Sequence, residues 1–304
     1  MSNTQRPFSA IEEVFHNYGR RRAALDYAFF KLNLPEHDVA LLVDFIVRRR
    51  IGVAQVRVSV HAPLGGGMSL AEIPLDRFVI GSMTTPSEGA HIGDNWLGAV
   101  GSRGTVGTTA WDLAFQPASP VLSPQIKLIE PLHAFDLSVQ SVPDVRFSGG
   151  LHIAGQRYEV SEARGMVSSY FGRALPERWF WISCNTFDRQ DLALECVVSR
   201  MALFGGPVHL KTGYFSVCTA QSSETIIAPV NGFIRLEGTR EALTITAHSR
   251  SGKAAYLLQC SASTGDYHDL GDRIQTTLLA SCTLKDIASA NRTVGLEERM
   301  PGRT

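Results

Sequence analysis

Residues 55–61 read Gln-Val-Arg-Val-Ser-Val-His, three valines alternating with polar side chains. A strict period of two describes a strand with one covered face and one wet face, and the same texture recurs along the chain. Ala24 to Leu34 and Val39 to Val47 are apolar strand-like runs joined across Pro35-Glu36-His37-Asp38, which reads as hairpin punctuation. After the loop Pro63 to Gly67, strands are expected at Arg77 to Met83, His91 to Val100, Gly104 to Gln116 and Gln125 to Ile129, followed by Phe135 to Gln140 and Val145 to Phe147. Gly149-Gly150 is read as a break. Beyond it the pattern resumes at Gln156 to Val160, Gly165 to Tyr170, Arg178 to Phe187, Ala193 to Phe204, His209 to Thr219, Glu224 to Pro229, Phe233 to Glu237, Ala242 to His248, Lys253 to Ser261 and Gln275 to Cys282.

Helix signals are scarce: Ser9 with Glu12 forms a capping box for one short helix. Short strands at a spacing of roughly eight to twelve residues, split in the middle, imply an all-β chain of two barrels or sandwiches of about 150 residues each. The boundaries follow the glycine pair: 1–149 and 150–304. Closing each sheet into a barrel removes the exposed edges that so many strands would leave. No sequence repeat relates the halves, and the polar tail from Asn291 is expected to fray.

At 304 residues, 44% hydrophobic and 19% charged, the chain has enough apolar material for a large core or two smaller ones. Its net charge is zero and its pI about 7.1, so no basic field argues for nucleic acid; Arg20 to Arg22 and Arg48 to Arg50 read as solvated strand ends. Five cysteines, Cys184, Cys196, Cys218, Cys260 and Cys282, are odd in number and form no CxxC, which favours reduced, mostly buried thiols and a cytoplasmic setting. No secretory signal or long apolar span is evident, so contact with membrane is at most peripheral. The nine histidines show no metal spacing, Gly65-Gly66-Gly67 lacks the context of a phosphate cradle, Gly205-Gly206-Pro207 reads as a turn, and no metal or organic cofactor is expected.

The chemistry-bearing residues lie in strand-like stretches. On the strand Arg178 to Phe187, Trp179, Trp181, Ser183 and Asn185 share one side, which makes either a core strand or the wall of an apolar pocket with polar groups at one end. Asp94 stands two residues before Trp96, on one face of a strand; if that face is interior, desolvation would keep the carboxyl protonated as a general acid. Trp111 shares a face with Leu113 and Phe115 while Asp112 points the other way, so a solvent-facing Asp112 competes with a catalytic one. Glu159 and Glu162 face opposite ways on an extended chain.

These residues carry a resemblance. Gly155, Arg157, Tyr158 and Glu159, then Phe171-Gly172, then Leu175-Pro176-Glu177-Arg178, then Trp179-Phe180-Trp181-Ile182-Ser183-Cys184-Asn185-Thr186-Phe187 resemble, without a gap, the most distinctive region of the tocopherol cyclase family. Weaker echoes are Trp111-Asp112 with Pro117, and Pro229-Val230-Asn231-Gly232-Phe233-Ile234-Arg235. The resemblance implies a tandem pair of lipocalin-like barrels, shared with carotenoid hydratase-like proteins, bacterial terpenoid cyclases and fungal cyclases of the Diels-Alder type. The sequence departs from the plant cyclases at Ser168-Ser169-Tyr170-Phe171, where they have Glu-Lys-Asn-Trp, which argues against tocopherol itself as the product.

The expected substrate is therefore a hydrophobic isoprenoid or polyene, closed into a ring, hydrated, or carried unchanged. Protonating a prenyl alkene needs an acid held neutral by an apolar site, aromatic faces for the cation and exclusion of water. The acid candidates are Asp94, Asp112, Glu162 and Tyr170; the expected substrate contacts are Trp96, Trp111, Trp179, Trp181, Asn185 and Tyr214. A pericyclic closure would need only positioning, with no acid.

Overall fold

A computed structural model of the chain describes residues 10–15, 18–19, 24–81, 88–124, 137–172, 176, 178–202, 209–269, 275–288 and 297–299. Ser9, Gln125 to Ile129 and Gly205-Gly206-Pro207 lie outside them. Among the described residues no helix is long and apolar enough to cross a membrane.

The fold is all-β, as the period of two requires. β1 (Leu25–Leu34), β2 (Val39–Arg48), β3 (Val53–His61), β4 (Gly67–Pro74), β5 (Val79–Ile80), β6 (Ala90–Ile92), β7 (Asn95–Gly98), β8 (Gly101–Val106), β9 (Thr109–Pro117), β10 (Leu137–Ile153) and β11 (Gln156–Gly172) form one antiparallel sheet. Its order is β4-β3-β2-β1-β11-β10-β9-β8-β7-β6-β5, and it curls until β3 and β4 meet β6 and β8. Side chains fill the interior: Phe30, Phe45, Trp111, Phe115 and Phe147 pack there, with Phe115 and Phe147 5.1 Å apart edge to face. The short helix α1 (Ala10–Phe15) sends Ile11, Val14 and Phe15 into the same core.

The remaining strands make a second unit. β12 (Arg178–Cys184), β13 (Ala193–Ala202), β14 (His209–Cys218) and β15 (Ser223–Ala228) form a meander, and β16 (Gly232–Gly238), β17 (Ala242–Ser249) and β18 (Ala255–Ser261) begin a second sheet. β19 (Tyr267–Asp269) pairs with β20 (Gln275–Thr277), after which β21 (Ser281–Asp286) and β22 (Glu297–Arg299) complete that second sheet. The core of this unit includes Leu194, Cys196, Phe215, Ile245, Leu258 and Leu284.

Several expectations change. His91 to Val100 and Gly104 to Gln116 are each a hairpin, β6–β7 and β8–β9, because Gly93-Asp94 and Gly107-Thr108 are turns. Gly149-Gly150 is no gap between strands: both lie inside β10, at a shift of register against β11. Gly149 has φ +138°, and a Cβ there would sit 2.1 Å from the Asp112 carbonyl oxygen, so the bulge and the approach of β9 both demand glycine. The tail beyond Asn291, expected to fray, supplies β22.

β2 is buried along both faces except at its last residue. Its inward residues join the first core, while the outward side chains of β1, β2 and β11 are covered by the second unit. Double coverage explains why Val39 to Val47 is an unbroken apolar run without visible alternation, and it places a second buried layer outside the first barrel.

Candidate active site

Strand register builds this second layer. Across β10, β11, β1, β2 and β3, the residues Ser141, Ser168, Phe29, Asp44 and Arg57 stand side by side in one row on the outer face. The rows beside it hold Val139, Tyr170, Tyr27 and Ile46 on one side and Met166, Lys31, Leu42 and Ser59 on the other. Opposite them the β12–β14 meander presents Trp179, Trp181 and Ser183, then Ser199, Val197 and Glu195, then Thr212, Tyr214 and Ser216.

The two surfaces meet through aromatic rings. Trp181 stands edge-on to Phe29 at 5.2 Å, Phe29 is edge-on to Tyr27 and Tyr170 at 6.1 and 6.4 Å, and Tyr27 stacks on Tyr170 at 4.4 Å. Trp179 and Trp181 are both partly exposed. A continuous aromatic layer thus runs from solvent inward, with a buried acid at each end.

At one end is Glu195, 1% exposed. Ser141 donates to its Oε2, the Trp181 indole N–H donates to Oε1 at 3.2 Å, and the Tyr214 hydroxyl faces the same carboxylate. Burial raises its pKa above the ordinary carboxylate value, and the two donors, the facing Tyr214 hydroxyl and the Lys31 charge oppose that rise without cancelling it. Lys31 Nζ donates to the Ser183 carbonyl at 2.8 Å and lies 5.8 Å over the Trp181 ring; burial lowers its pKa. Ser183 Oγ and Tyr214 Oη are buried with no complete hydrogen bond among the described residues. A buried unpaired hydroxyl costs about 1–3 kcal/mol, so both favour a ligand or water that brings a polar group.

At the other end Asp44, 2% exposed, accepts from Arg57 Nε at 2.8 Å, and Arg57 also donates to the Tyr27 hydroxyl. Burial raises the pKa of Asp44, and Arg57 opposes the rise. Burial likewise raises Tyr170, which keeps its phenol proton. The two acids differ in partner: Asp44 has a permanent cation in contact, whereas the groups hydrogen-bonding Glu195 are neutral.

Of the residues singled out in the sequence, the structure brings Tyr170, Trp181 and Tyr214 together here, with Trp179 on the same face of β12. Asn185, fully buried, donates from Nδ2 to the carbonyls of Pro143 and Gly165 at 3.2 and 2.5 Å, tying the end of β12 to the bulged part of the first sheet. Asn185→Ala would strand two buried carbonyls, and the expected loss is about 2 kcal/mol in a denaturant titration.

The other candidates lie elsewhere. Trp111 is 2% exposed in the first core, its N–H bonded to Ser102 Oγ at 2.9 Å. Trp96 is half-buried and bonds the Glu88 carbonyl at 3.3 Å. Asp94 sits in the exposed β6–β7 turn instead of on a strand face with Trp96, because Gly93 takes φ +61° and reverses the chain. Asp112 is exposed and pairs with Arg103 at 3.1 Å; Glu162 is exposed at φ +55° on β11. Asp94 and Asp112 line an open groove of about 850 Å³ at the opposite end of β10 and β11, with His152 and Arg157. An exposed ion pair contributes only about 0–1 kcal/mol, so Asp112→Asn is expected to change stability by no more than about 1 kcal/mol and to leave turnover within about twofold of the parent.

Glu195, Asp44, Arg57 and Lys31 were not singled out in the sequence. A signal exists for three of them: Lys31, Asp44 and Glu195 each interrupt an apolar run, as in Ala-Leu-Glu195-Cys-Val-Val and Leu-Val-Asp44-Phe-Ile, whereas Arg57 stands in an alternating one.

A family model described as tocopherol cyclase-like matches residues 120–211. That window contains Ser141, Tyr170, Trp181, Asn185 and Glu195 and excludes Asp94 and Asp112. Among solved structures, kievitone hydratase from Nectria haematococca superposes with a TM-score of 0.60 at 11% identity, covering 96% of this chain and 90% of that one. An AttH protein from Nitrosomonas europaea superposes with a TM-score of 0.56, also at 11% identity, covering 98% of this chain and 97% of that one. No curated protein matches by sequence. The resemblance read from Gly155 to Phe187 is borne out: it falls within residues 120–211, where the chain matches the tocopherol cyclase-like model, and the chain shares a lipocalin-like fold with the two solved structures over nearly its whole length.

Proposed function

We propose that this protein is a cofactor-independent cyclase or hydratase of a prenylated or polyene small molecule, with Glu195 as its general acid. The observation that carries the reading is a carboxyl 1% exposed, hydrogen-bonded to Trp181 at one end of an aromatic layer, whose pKa burial raises. A carboxylic acid kept neutral can hand its proton to an alkene carbon, giving a tertiary carbocation at the far end of the former double bond. The faces of Trp181, Phe29 and Tyr27 stabilise that cation, by about 1–2 kcal/mol per desolvated ring. An internal hydroxyl, phenol or second alkene then closes a ring, or water adds. The trapping step releases a proton, which returns to the Glu195 carboxylate and completes the cycle.

The match to a tocopherol cyclase-like model and the fold shared with a protein named as a hydratase support this class. Ser141, Trp181 and Tyr214 would hold the carboxylate form once the proton has left, and the Arg57–Asp44 pair would fix the Tyr27–Tyr170 stack against which the substrate packs. Five free thiols suit a reducing, cytoplasmic compartment.

The test is incubation of the purified protein with a panel of prenylated quinols, linear terpenoids and polyenes, followed by chromatography and mass spectrometry. A product isomeric with its substrate establishes cyclisation, and a gain of one water establishes hydration. Retention of an unchanged lipid across the panel would instead make the protein a carrier.

A further inference from the structure

Three of the five free cysteines meet at one place the proposed reaction does not use. Cys260 on β18 and Cys282 on β21 are directly opposed partners in the register, and the Cys282 thiol approaches Cys260 Sγ at 3.1 Å. Directly opposed residues of antiparallel strands have Cα atoms about 4.5–5.5 Å apart, inside the span of about 4.4–6.8 Å that a disulfide bridges. The two differ in access: Cys282 is 4% exposed, whereas Cys260 is only partly buried. Cys184, at the end of β12, also contacts Cys282, and the neighbouring Ser183 carbonyl receives Lys31. Cys196 lies deeper in the second core on β13, and Cys218 belongs to a separate small cluster with Leu122 and Ala193.

We propose that Cys260 and Cys282 form a redox-active dithiol, which a low-molecular-weight disulfide such as oxidised glutathione converts into an intramolecular disulfide. The Cys260 thiol loses its proton to solvent, and its thiolate attacks one sulfur of the small disulfide. One S–S bond forms as another breaks, and one small thiolate leaves. The Cys282 thiol then loses its proton and attacks Cys260 Sγ, displacing the second small thiolate. In balance, two protein thiols are oxidised by two electrons, the small disulfide is reduced to two thiols, and the released protons end on them. Cys260 is the entry point because it is the accessible member of the pair, whereas the Cys184 and Cys282 thiols are buried and do not meet the small disulfide first. Closing the bond needs the sulfurs to approach by about 1 Å, since a disulfide is about 2.05 Å long, and the two strands are already paired.

The experiment is treatment of the full chain with oxidised glutathione, acid quench, alkylation of remaining thiols under denaturation, and peptide mapping by mass spectrometry. The expected result is a Cys260–Cys282 cross-link, reversed by dithiothreitol, with Cys184, Cys196 and Cys218 still alkylated. Cys282→Ser should accumulate a stable glutathione adduct on Cys260, and Cys260→Ser should give no adduct and no link. Full alkylation of all five thiols, a stable glutathione adduct on Cys260 in the unsubstituted protein, or a link through Cys196 or Cys218 would each overturn the assignment.

Discussion

Glu195→Gln is expected to lower turnover by about 10²–10⁴, the usual contribution of a positioned general acid, while leaving the fold intact. Glutamine keeps the shape and retains an acceptor for Ser141 or the Trp181 indole, so only the transferable proton is lost. Stability supplies the control. The folded-state pKa of Glu195 is raised by burial, so its favourable contribution is full below the ordinary carboxylate pKa and disappears as pH rises through the raised value. The glutamine variant carries no such penalty; it should therefore match or exceed the parent in unfolding free energy at pH 8, with the gap shrinking toward pH 4. Activity of the parent should follow the same titration, high while Glu195 holds its proton and falling as pH passes through the raised pKa. A variant that loses activity by unfolding would show the opposite trend in stability.

The second large effect is structural. Arg57→Met removes the cation from a pair in which Arg57 and Asp44 are 3% and 2% exposed. An uncompensated buried charge costs about 3–5 kcal/mol, and Asp44 would be driven toward its protonated form. Adding Asp44→Leu should recover most of that loss, because two apolar side chains need no partner. If the double variant regains stability but binds substrate poorly, the pair positions the Tyr27–Tyr170 stack; if it regains both, the pair serves only the interior. Denaturant unfolding of the three variants separates these outcomes.

The architecture was legible because alternation survives wherever one face of a strand meets water, as at Trp111, Leu113 and Phe115 on β9; on β3 the alternate Arg57 and Ser59 are buried as well. It failed where geometry breaks that rule. Gly149 and Gly150 look like a boundary, yet they lie where a 17-residue strand bulges, and at Gly149 β9 comes too close for a side chain. Asp94 and Trp96 looked like strand neighbours, but the turn at Gly93-Asp94 separates them. Tyr170, Trp181 and Tyr214 were readable because aromatic side chains on strands stand out against any background. Glu195 and Asp44 were not: their sequence neighbours face other cores, and what makes them unusual is a sheet drawn from residues far away in the chain. Ser141 reaches Glu195 across 54 residues, and Lys31 reaches the Ser183 carbonyl across 152. A charge that interrupts an apolar run is the clue that one sequence offers, and it marks Lys31, Asp44 and Glu195 together.

Protonation of a substrate carbon by Glu195 is tested most directly by running the reaction in D₂O with a substrate that the panel has shown to turn over. One deuterium, bonded to a single carbon of the product and absent from recovered substrate, is the predicted result, with formation of that product falling in parallel in Glu195→Gln. A product free of carbon-bound deuterium, formed at an undiminished rate by the glutamine variant, would contradict acid initiation and leave positioning alone as the source of catalysis.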